Sequence, residues 1–263
     1  LDFSGVASPL TFSVHTYTVV DTDTRVDYDA NVENLIGGSG KDTLSYAGDG
    51  VVHTVTLTGL GVEDGFAGIA SGLSGTFENM NALAAGSGDD ALIGLNAANT
   101  WTVDGISSQY ASGGRVFGFD SRVETLLGGA GGDQFEIIGA QSGQLQGNAG
   151  DDRIHFAEGA LLTGTFDGGL GADTLSFSGN STGRGVALTS LGSQDGFAGI
   201  AAGGTFDNIN VLTGGNATDS LSGLTSGNWK INALNNTYAS TNALTFSAIE
   251  SLVGGSGSDT FTM

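Results

Sequence analysis

Residues 65–70 read Gly-Phe-Ala-Gly-Ile-Ala, and residues 196–201 repeat the same six residues in the same order. A second block recurs with small changes, as Thr-Phe-Glu-Asn-Met-Asn at residues 76–81 and Thr-Phe-Asp-Asn-Ile-Asn at residues 205–210. Internal repeats are typical of stacked arrays, in which each unit buries its apolar face against the next one. The duplication therefore predicts a repetitive architecture before any single residue is considered.

The composition favours many short β-strands. Of 263 residues, 47 are glycine, 1 is proline and 13% are charged, while 39% are hydrophobic. Such a chain can still bury apolar surface, which argues against a disordered linker. Residues 55–58, 101–103 and 186–189 alternate and are rich in β-branched side chains, which predicts strands. No stretch of about 12 residues has helical periodicity together with helix caps.

The charge and the missing cysteines exclude several functional classes. The 28 acidic residues outnumber the 7 basic ones, giving a net charge of −21, which argues against nucleic acid or an anionic membrane as a partner. The same charge permits divalent cations. Without cysteine the chain has no disulfides, thiolate zinc sites or cysteine nucleophiles. No apolar run approaches the roughly 20 residues that cross a bilayer, so we expect no transmembrane segment.

A shorter repeat lies beneath the long one. It is a glycine-rich turn that ends on an aspartate and is followed by an apolar strand, and its copies end at Asp42, Asp90, Asp133, Asp152, Asp173, Asp219 and Asp259. The copies are spaced by about 20 residues or about twice that. Antiparallel hairpins favour tight two-residue turns, whereas this spacing places equivalent turns above one another. We therefore predict an all-β fold, an elongated right-handed parallel β-solenoid with coils of about 20 residues.

The nested periods predict how the chain is organised. We expect one continuous solenoid over residues 1–263, with long repeat copies at about 42–133 and 173–259 and a spacer at 134–172.

The glycine-rich turns are the candidate metal sites. Glycines allow the backbone to turn its carbonyl oxygens inward toward the aspartate, and oxygen-only clusters suit Ca²⁺. The alternative is that each aspartate caps its own turn by accepting backbone N–H groups. Calcium is predicted first where the turns follow one another closely, at Asp133, Asp152 and Asp173. Capping competes more strongly at the isolated turns, which end at Asp42, Asp90, Asp219 and Asp259. No other cofactor is predicted.

The remaining candidate residues predict no reaction, and we expect the chain not to be an enzyme. The three histidines share neither a motif nor a repeat position: His15, His53 and His155. Three acids recur at one repeat position, which favours a structural or surface role: Glu33, Glu124 and Glu250. Trp101 and Trp229 lie at equivalent repeat positions, which favours packing over a carbohydrate-stacking platform. A β-helix enzyme acting on polysaccharide would need several convergent acids at one non-repeated site.

The turn resembles the nonapeptide of the repeats-in-toxin (RTX) family, Gly-Gly-x-Gly-x-Asp-x-apolar-x. More broadly, residues 64–69, 94–103 and 123–129 are similar to the glycine-rich β-strand repeats of very large bacterial surface and secreted proteins. That resemblance implies an extracellular or cell-surface structural protein, a stiff fibre, sheath or adhesin stalk. Because an uncapped solenoid end is an open strand edge, we also expect self-association, end to end or laterally, and we expect cell-surface or matrix polysaccharide as a further partner. The RTX resemblance implies the alternative, a Ca²⁺-dependent folding module of a type I-secreted exoprotein.

Overall fold

The computed structural model describes residues 1–21, 25–29, 32–232 and 236–263. These residues form 29 β-strands and no helix, which confirms the predicted all-β class. They divide into two compact units. Unit 1 comprises Leu1–Trp101 with Gly105–Leu127, and unit 2 comprises Thr102–Asp104 with Gly128–Met263.

The first fourteen strands are short, and most contain three to six residues. In chain order they are β1 (Thr11–Ser13), β2 (Thr18–Val20), β3 (Arg25–Asp27), β4 (Leu35–Ile36), β5 (Thr43–Ser45), β6 (Thr54–Leu60), β7 (Phe66–Ala70), β8 (Phe77–Met80), β9 (Ala82–Ala84), β10 (Asp90–Ile93), β11 (Thr100–Val103), β12 (Ser107–Ser112), β13 (Arg115–Asp120) and β14 (Val123–Leu127).

The other strands follow the same pattern of lengths. They are β15 (Gln134–Ile137), β16 (Ala140–Gln146), β17 (Arg153–Phe156), β18 (Leu161–Asp167), β19 (Thr174–Ser176), β20 (Gly185–Leu191), β21 (Phe197–Ala201), β22 (Gly204–Ile209), β23 (Val211–Thr213), β24 (Ser220–Ser222), β25 (Asn228–Lys230), β26 (Asn236–Ala239), β27 (Ala243–Ser247), β28 (Ser251–Val253) and β29 (Thr260–Thr262).

The strands of unit 1 belong to two mixed sheets of mostly parallel strands. Sheet A has the order β14-β10-β6-β7-β8-β4, and sheet B has the order β12-β13-β9-β5-β1-β2-β3. The chain alternates between the two sheets, and we call the stretch from one strand to its next parallel partner in the same sheet a coil. Parallel pairing places Phe12, Leu44 and Leu83 in register, and all three are buried. Equivalent core residues therefore stack from coil to coil.

Unit 2 is built in the same way. Its sheet A has the order β28-β24-β20-β21-β22-β18-β16, and its sheet B has the order β29-β25-β26-β27-β23-β19-β17-β15. Phe135, Ile154, Leu175 and Leu212 stand in parallel register and are buried. Between β15 and β19 the coils contain about 20 residues, as the turn spacing predicts.

Elsewhere the coils are longer because antiparallel meanders are inserted, and the predicted parallel pairing does not hold within these meanders. Strands β6, β7 and β8 form one meander, and β20, β21 and β22 form its counterpart in unit 2. The antiparallel pairs contain tight turns that spacing alone did not reveal. Gly113 and Gly114 join β12 to β13 with φ of 56° and 78°, and Ala202 and Gly203 join β21 to β22 with φ of 50° and 88°. Two successive positive φ values are typical of the type I′ turn that joins two-residue hairpins.

The repeated hexapeptide is explained by the packing of the meander. Gly65 has φ of 51°, in the left-handed region that glycine tolerates, and Phe66 is completely buried. A Cβ on Gly68 would clash with the ring of Phe77 and with the carbonyl oxygen of Thr56. Glycine therefore leaves the space that the aromatic ring on the neighbouring strand fills.

The second copy has the same packing. Gly196 has φ of 48°, Phe197 is buried, and a Cβ on Gly199 would clash with the ring of Phe206. Both copies of the hexapeptide therefore place a glycine against an aromatic ring on the neighbouring antiparallel strand, and the role of the repeat is to pack these two strands.

The two tryptophans are core residues. Trp101 lies 4.5 Å from Tyr110, and Trp229 lies 4.5 Å from Tyr238, measured between ring centroids. All four rings are buried, and the tyrosine hydroxyls accept the backbone N–H groups of Leu95 and Leu224. Buried rings pack the interior and leave no stacking face for a sugar, in agreement with the packing interpretation.

Candidate functional site

Asp42 shows how the isolated glycine-rich turns are built. Its side chain is fully buried; Oδ2 accepts the N–H of Gly38 at 2.7 Å, and Oδ1 accepts the N–H of Leu10 on the preceding coil at 2.8 Å. Two more aspartates make the same pair of contacts, Asp90 with Gly86 and His53, and Asp219 with Gly215 and Arg184. Each carboxylate thus closes its own turn and ties it to the coil before, as the capping alternative predicts.

The closely spaced turns differ in one contact. Oδ1 of Asp152 accepts the N–H of Asp133 at 2.6 Å, and Oδ1 of Asp173 accepts the N–H of Asp152 at 2.8 Å. The Oδ2 atoms of Asp152 and Asp173 are buried without a hydrogen-bond partner among the described residues. Asp133 resembles the isolated turns, since its Oδ2 accepts the N–H of Gly129 at 2.8 Å.

This environment changes the acidity of the two aspartates. Burial, together with the charges of Asp173, Asp133 and Asp151, raises the pKa of Asp152 to about 7. Burial also raises the pKa of Asp173 to about 6, and nearby acids including Asp195 add to the shift. Burial without a hydrogen-bond partner disfavours the charged form of a carboxyl group, so a bound proton or cation would stabilise these two side chains.

Side chains of the following coil complete the turns, and their hydrogen bonds to the turn aspartates were not predicted. The aspartate N–H itself is bound by a side-chain oxygen: Asn81 accepts from Asp42, Glu124 from Asp90, Asn210 from Asp173 and Glu250 from Asp219. The sequence contains a signal for these acceptors. Each of them lies next to the start of a strand in a coil that lacks the glycine motif. The structural role predicted for Glu124 and Glu250 matches these contacts, whereas Glu33 is exposed.

The metal predictions remain predictions. Within the described ranges, no group of three or more His, Asp or Glu side chains is arranged to hold a metal ion. Asp259 resembles the closely spaced turns in one respect, since its Oδ1 is buried and has no hydrogen-bond partner in the described part of the chain. Among the turn aspartates, the carboxylate oxygens that are buried without a hydrogen-bond partner in the described ranges are therefore Oδ2 of Asp152, Oδ2 of Asp173 and Oδ1 of Asp259.

Two histidines meet one carboxylate in unit 1. His15 Nδ1 lies 3.1 Å and His53 Nε2 lies 3.0 Å from Oδ2 of Asp49. His53 also stacks on Tyr46, with 4.0 Å between the ring centroids. The pKa of Asp49 is lowered, first by the backbone N–H of Val51 and then by the two histidines. These contacts hold the start of β6 against a turn, which is a structural role.

The third histidine lies on sheet B of unit 2. His155 Nδ1 is 2.6 Å from Oε2 of Glu136, and its Nε2 is 2.9 Å from the carbonyl oxygen of Ser178. Arg153 also contacts Glu136, at 3.3 Å. Since Nε2 faces a backbone carbonyl, the histidine is not aligned with a serine hydroxyl as a general base requires.

The chain matches no protein-family profile and no curated protein. Among its described residues there is no helix with the length and apolar character needed to cross a membrane.

Proposed function

We propose that the chain is a length of an elongated right-handed parallel β-solenoid that works as an extracellular structural element. It would form a stiff fibre, sheath or adhesin stalk at a bacterial cell surface, associate with further copies end to end or laterally, and contact surface or matrix polysaccharide. Its action is mechanical, because stacked coils resist bending and extension through continuous backbone pairing.

One observation carries this proposal: the acidic side chains that recur in the chain are used to hold coil to coil. Both oxygens of Asp42 and of Asp90 accept backbone N–H groups, and Asn81 and Glu124 bind the N–H of these aspartates from the next coil. Carboxylates occupied in this way serve architecture, since a catalytic carboxylate must reach a substrate.

Two equivalent surface grooves support the same conclusion. One groove in unit 1 is lined by residues 56–58 and 93–97, and one in unit 2 by residues 188–189, 223–226 and 255–256. They lie at equivalent repeat positions and are lined by threonine, serine, asparagine, glycine and aliphatic residues, with no acid and no histidine. A hydrolase would need convergent titratable groups in such a groove.

Small-angle X-ray scattering and negative-stain microscopy test the proposal. A compact globule of this length has a radius of gyration of about 18 Å, so a clearly larger value with a rod-like cross-section is expected. Light scattering should show a mass that rises with concentration as copies associate. A compact particle that stays monomeric at high concentration would contradict the fibre. If the purified protein turned over a polysaccharide and one aspartate substitution abolished that activity, the chain would be an enzyme and the proposed structural role would be wrong.

A second candidate function is favoured by the unpartnered Oδ2 atoms of Asp152 and Asp173. In a Ca²⁺-dependent folding module the glycine-rich turns that contain these carboxylates would stay unfolded until external calcium binds to the carboxylates. Circular dichroism in EDTA and in CaCl₂ separates the candidates, because the module would lose its β signal in EDTA and the fibre would keep it. Asp152→Asn is the matched variant, and in the module it should abolish the calcium response.

A further inference from the structure

The loop between β6 and β7 in unit 1 encloses the guanidinium cation of Arg115. The guanidinium of Arg115 donates to three backbone carbonyl oxygens of this loop, at 2.7 Å to Gly61, 3.0 Å to Gly65 and 3.4 Å to Glu63. The loop backbone is thus shaped so that its carbonyl oxygens converge on one positive charge.

The loop between β20 and β21 in unit 2, residues 192–196, has the same conformation. The N–H of Gly192 donates to the carbonyl oxygen of Gly196 at 3.1 Å, the same distance as in the equivalent bond of unit 1. Gly196 has φ of 48°, against 51° in the first copy. The N–H of Gln194 donates to Oδ1 of Asn208, as the equivalent amide does to Asn79 in unit 1. The carbonyl oxygens therefore converge in the second copy as well.

The second copy of the loop has no arginine side chain at this position. Asn242 occupies the repeat position of Arg115, and its Nδ2 donates to the carbonyl oxygen of Gly196 at 2.7 Å. This neutral amide covers one of the three carbonyl oxygens. The described residues form no hydrogen bond to the carbonyl oxygens of Gly192 and Gln194. The loop is exposed at residues 193 and 194, so solutes can reach it.

A second substitution makes this loop more negative. Asp167 precedes the first glycine of its turn, where unit 1 has Ile36. Asp167 Oδ1 accepts the Nδ2 of Asn208 at 2.7 Å and is thereby joined to the loop, because Asn208 also binds the N–H groups of residues 194 and 195. The loop of unit 1 also contains Glu63 where unit 2 has Gln194, so the loss of one arginine and the gain of one aspartate leave the second loop more negative by one charge.

We propose that the 192–196 loop binds one Ca²⁺ ion. The carbonyl oxygens of Gly192 and Gln194 supply protein ligands, water completes the shell, and Asp167, Asp195 and Asp207 supply the negative field. Asp195 and Asp207 are tied to the loop by Asn210 and by the N–H of residue 193. Few protein ligands predict weak binding, with a Kd of about 0.1–1 mM, the range of extracellular calcium modules.

Isothermal titration of the full chain with CaCl₂ tests this site. The wild type should bind one ion at this loop. Asn242→Arg should weaken binding at least tenfold, because the guanidinium fills the loop as it does in unit 1, while Asn242→Gln keeps a neutral amide and should bind as the wild type does. The double variant Ile36→Asp with Arg115→Asn should create a second site in unit 1. Circular dichroism and thermal melting show that each variant is folded.

Three outcomes would overturn the site. One is the absence of saturable binding by the wild type up to about 10 mM CaCl₂, well above the expected Kd. Another is unchanged binding in Asn242→Arg. A third is loss of binding in Asp152→Asn but not in Asn242→Arg, which would place the ion at the glycine-rich turns. The proposed fibre does not depend on this site, so scattering and titration can fail independently.

Discussion

Asp42 in unit 1 and Asp152 in unit 2 end the same kind of glycine-rich turn, but their carboxylates are held differently. Both oxygens of Asp42 accept backbone N–H groups, from Gly38 and from Leu10. Asp152 accepts one N–H through Oδ1, and its Oδ2 is buried without a partner among the described residues. One sequence motif therefore produces a satisfied cap in one place and a partly satisfied cap in another.

The backbone of the turn explains the difference. The residue four positions before Asp152 is Asn148, with φ of 74°, and its carbonyl oxygen accepts the N–H of Leu170 at 2.9 Å. The N–H of Gly150 donates in turn to the carbonyl oxygen of Leu170, also at 2.9 Å. Where coils of about 20 residues follow directly, the turns pair with each other through their backbones. The carboxylate then loses the N–H that Gly38 provides to Asp42.

The largest effect is expected from removing the carboxylates. Asp42→Ala leaves two buried N–H groups without an acceptor, each costing about 1–3 kcal/mol, so the free energy of unfolding should fall by about 4 kcal/mol. Asp152→Ala strands one N–H but also removes a poorly solvated charge, so a loss of about 1 kcal/mol or less is expected. Urea denaturation followed by tryptophan fluorescence measures both.

Each unit has its own reporter for this comparison. Trp101 reports on Asp42 in a Trp229→Phe background, and Trp229 reports on Asp152 in a Trp101→Phe background. Each variant is compared with its own background protein. Equal losses at the two positions would mean that the second N–H contact of Asp42 is worth nothing, and the distinction between the turns would fail.

The pH dependence of unit 2 should be the next largest effect. Asp152 and Asp173 have folded pKa values of about 7 and about 6, above the ordinary value of 3.8. Groups with raised pKa values stabilise the fold fully below the unfolded pKa, and that stability is lost as the pH rises through the folded values. One pKa unit corresponds to about 1.4 kcal/mol, so raising the pH from 5 to 8 should lower the free energy of unfolding by at most about 4 kcal/mol.

The double variant Asp152→Asn with Asp173→Asn is the control for this titration. The amides keep an acceptor for the N–H groups of Asp133 and Asp152 but cannot ionise, so the slope between pH 5 and 8 should disappear. Glu158 has a pKa lowered to about 2 by hydrogen bonds from Thr182 and Ser181, and it is ionised throughout this range. A slope that persists in the double variant would assign the effect to other groups.

Much of the fold was predictable because its signals are local. Alternating β-branched residues identify strands, and aspartates spaced by about 20 residues identify the parallel register from β15 to β19. The meanders were missed, although Gly113 and Gly114 are a strong hairpin signal. In a chain with 47 glycines such a pair does not stand out, and in the turn at 202–203 alanine takes one of the two positive-φ positions.

The candidate site was only half predictable, for a physical reason. That aspartates cap turns follows from the side chain itself. Whether Oδ2 finds an N–H depends on the φ of a residue four positions earlier, which the neighbouring coil sets. The comparison of Gly38 with Asn148 shows that this information is tertiary. The carbonyl loops at 61–65 and 192–196 were invisible for a similar reason, because their ligands are backbone atoms.

The smallest effect should come from the acceptors on the following coil. Glu124 Oε2 accepts the N–H of Asp90 at 2.9 Å, and burial, as the largest cause, raises the pKa of Glu124. Asn81 performs the same task for Asp42 with an amide oxygen, at 2.8 Å. Glu124→Gln should therefore change the free energy of unfolding by less than about 0.5 kcal/mol, while Glu124→Ala should lower it by about 1 kcal/mol. Urea denaturation followed through Trp101 resolves the two variants. If glutamine proves as damaging as alanine, the charge of Glu124 matters more than its hydrogen bond, and the equivalence of the amide and carboxylate acceptors would be wrong.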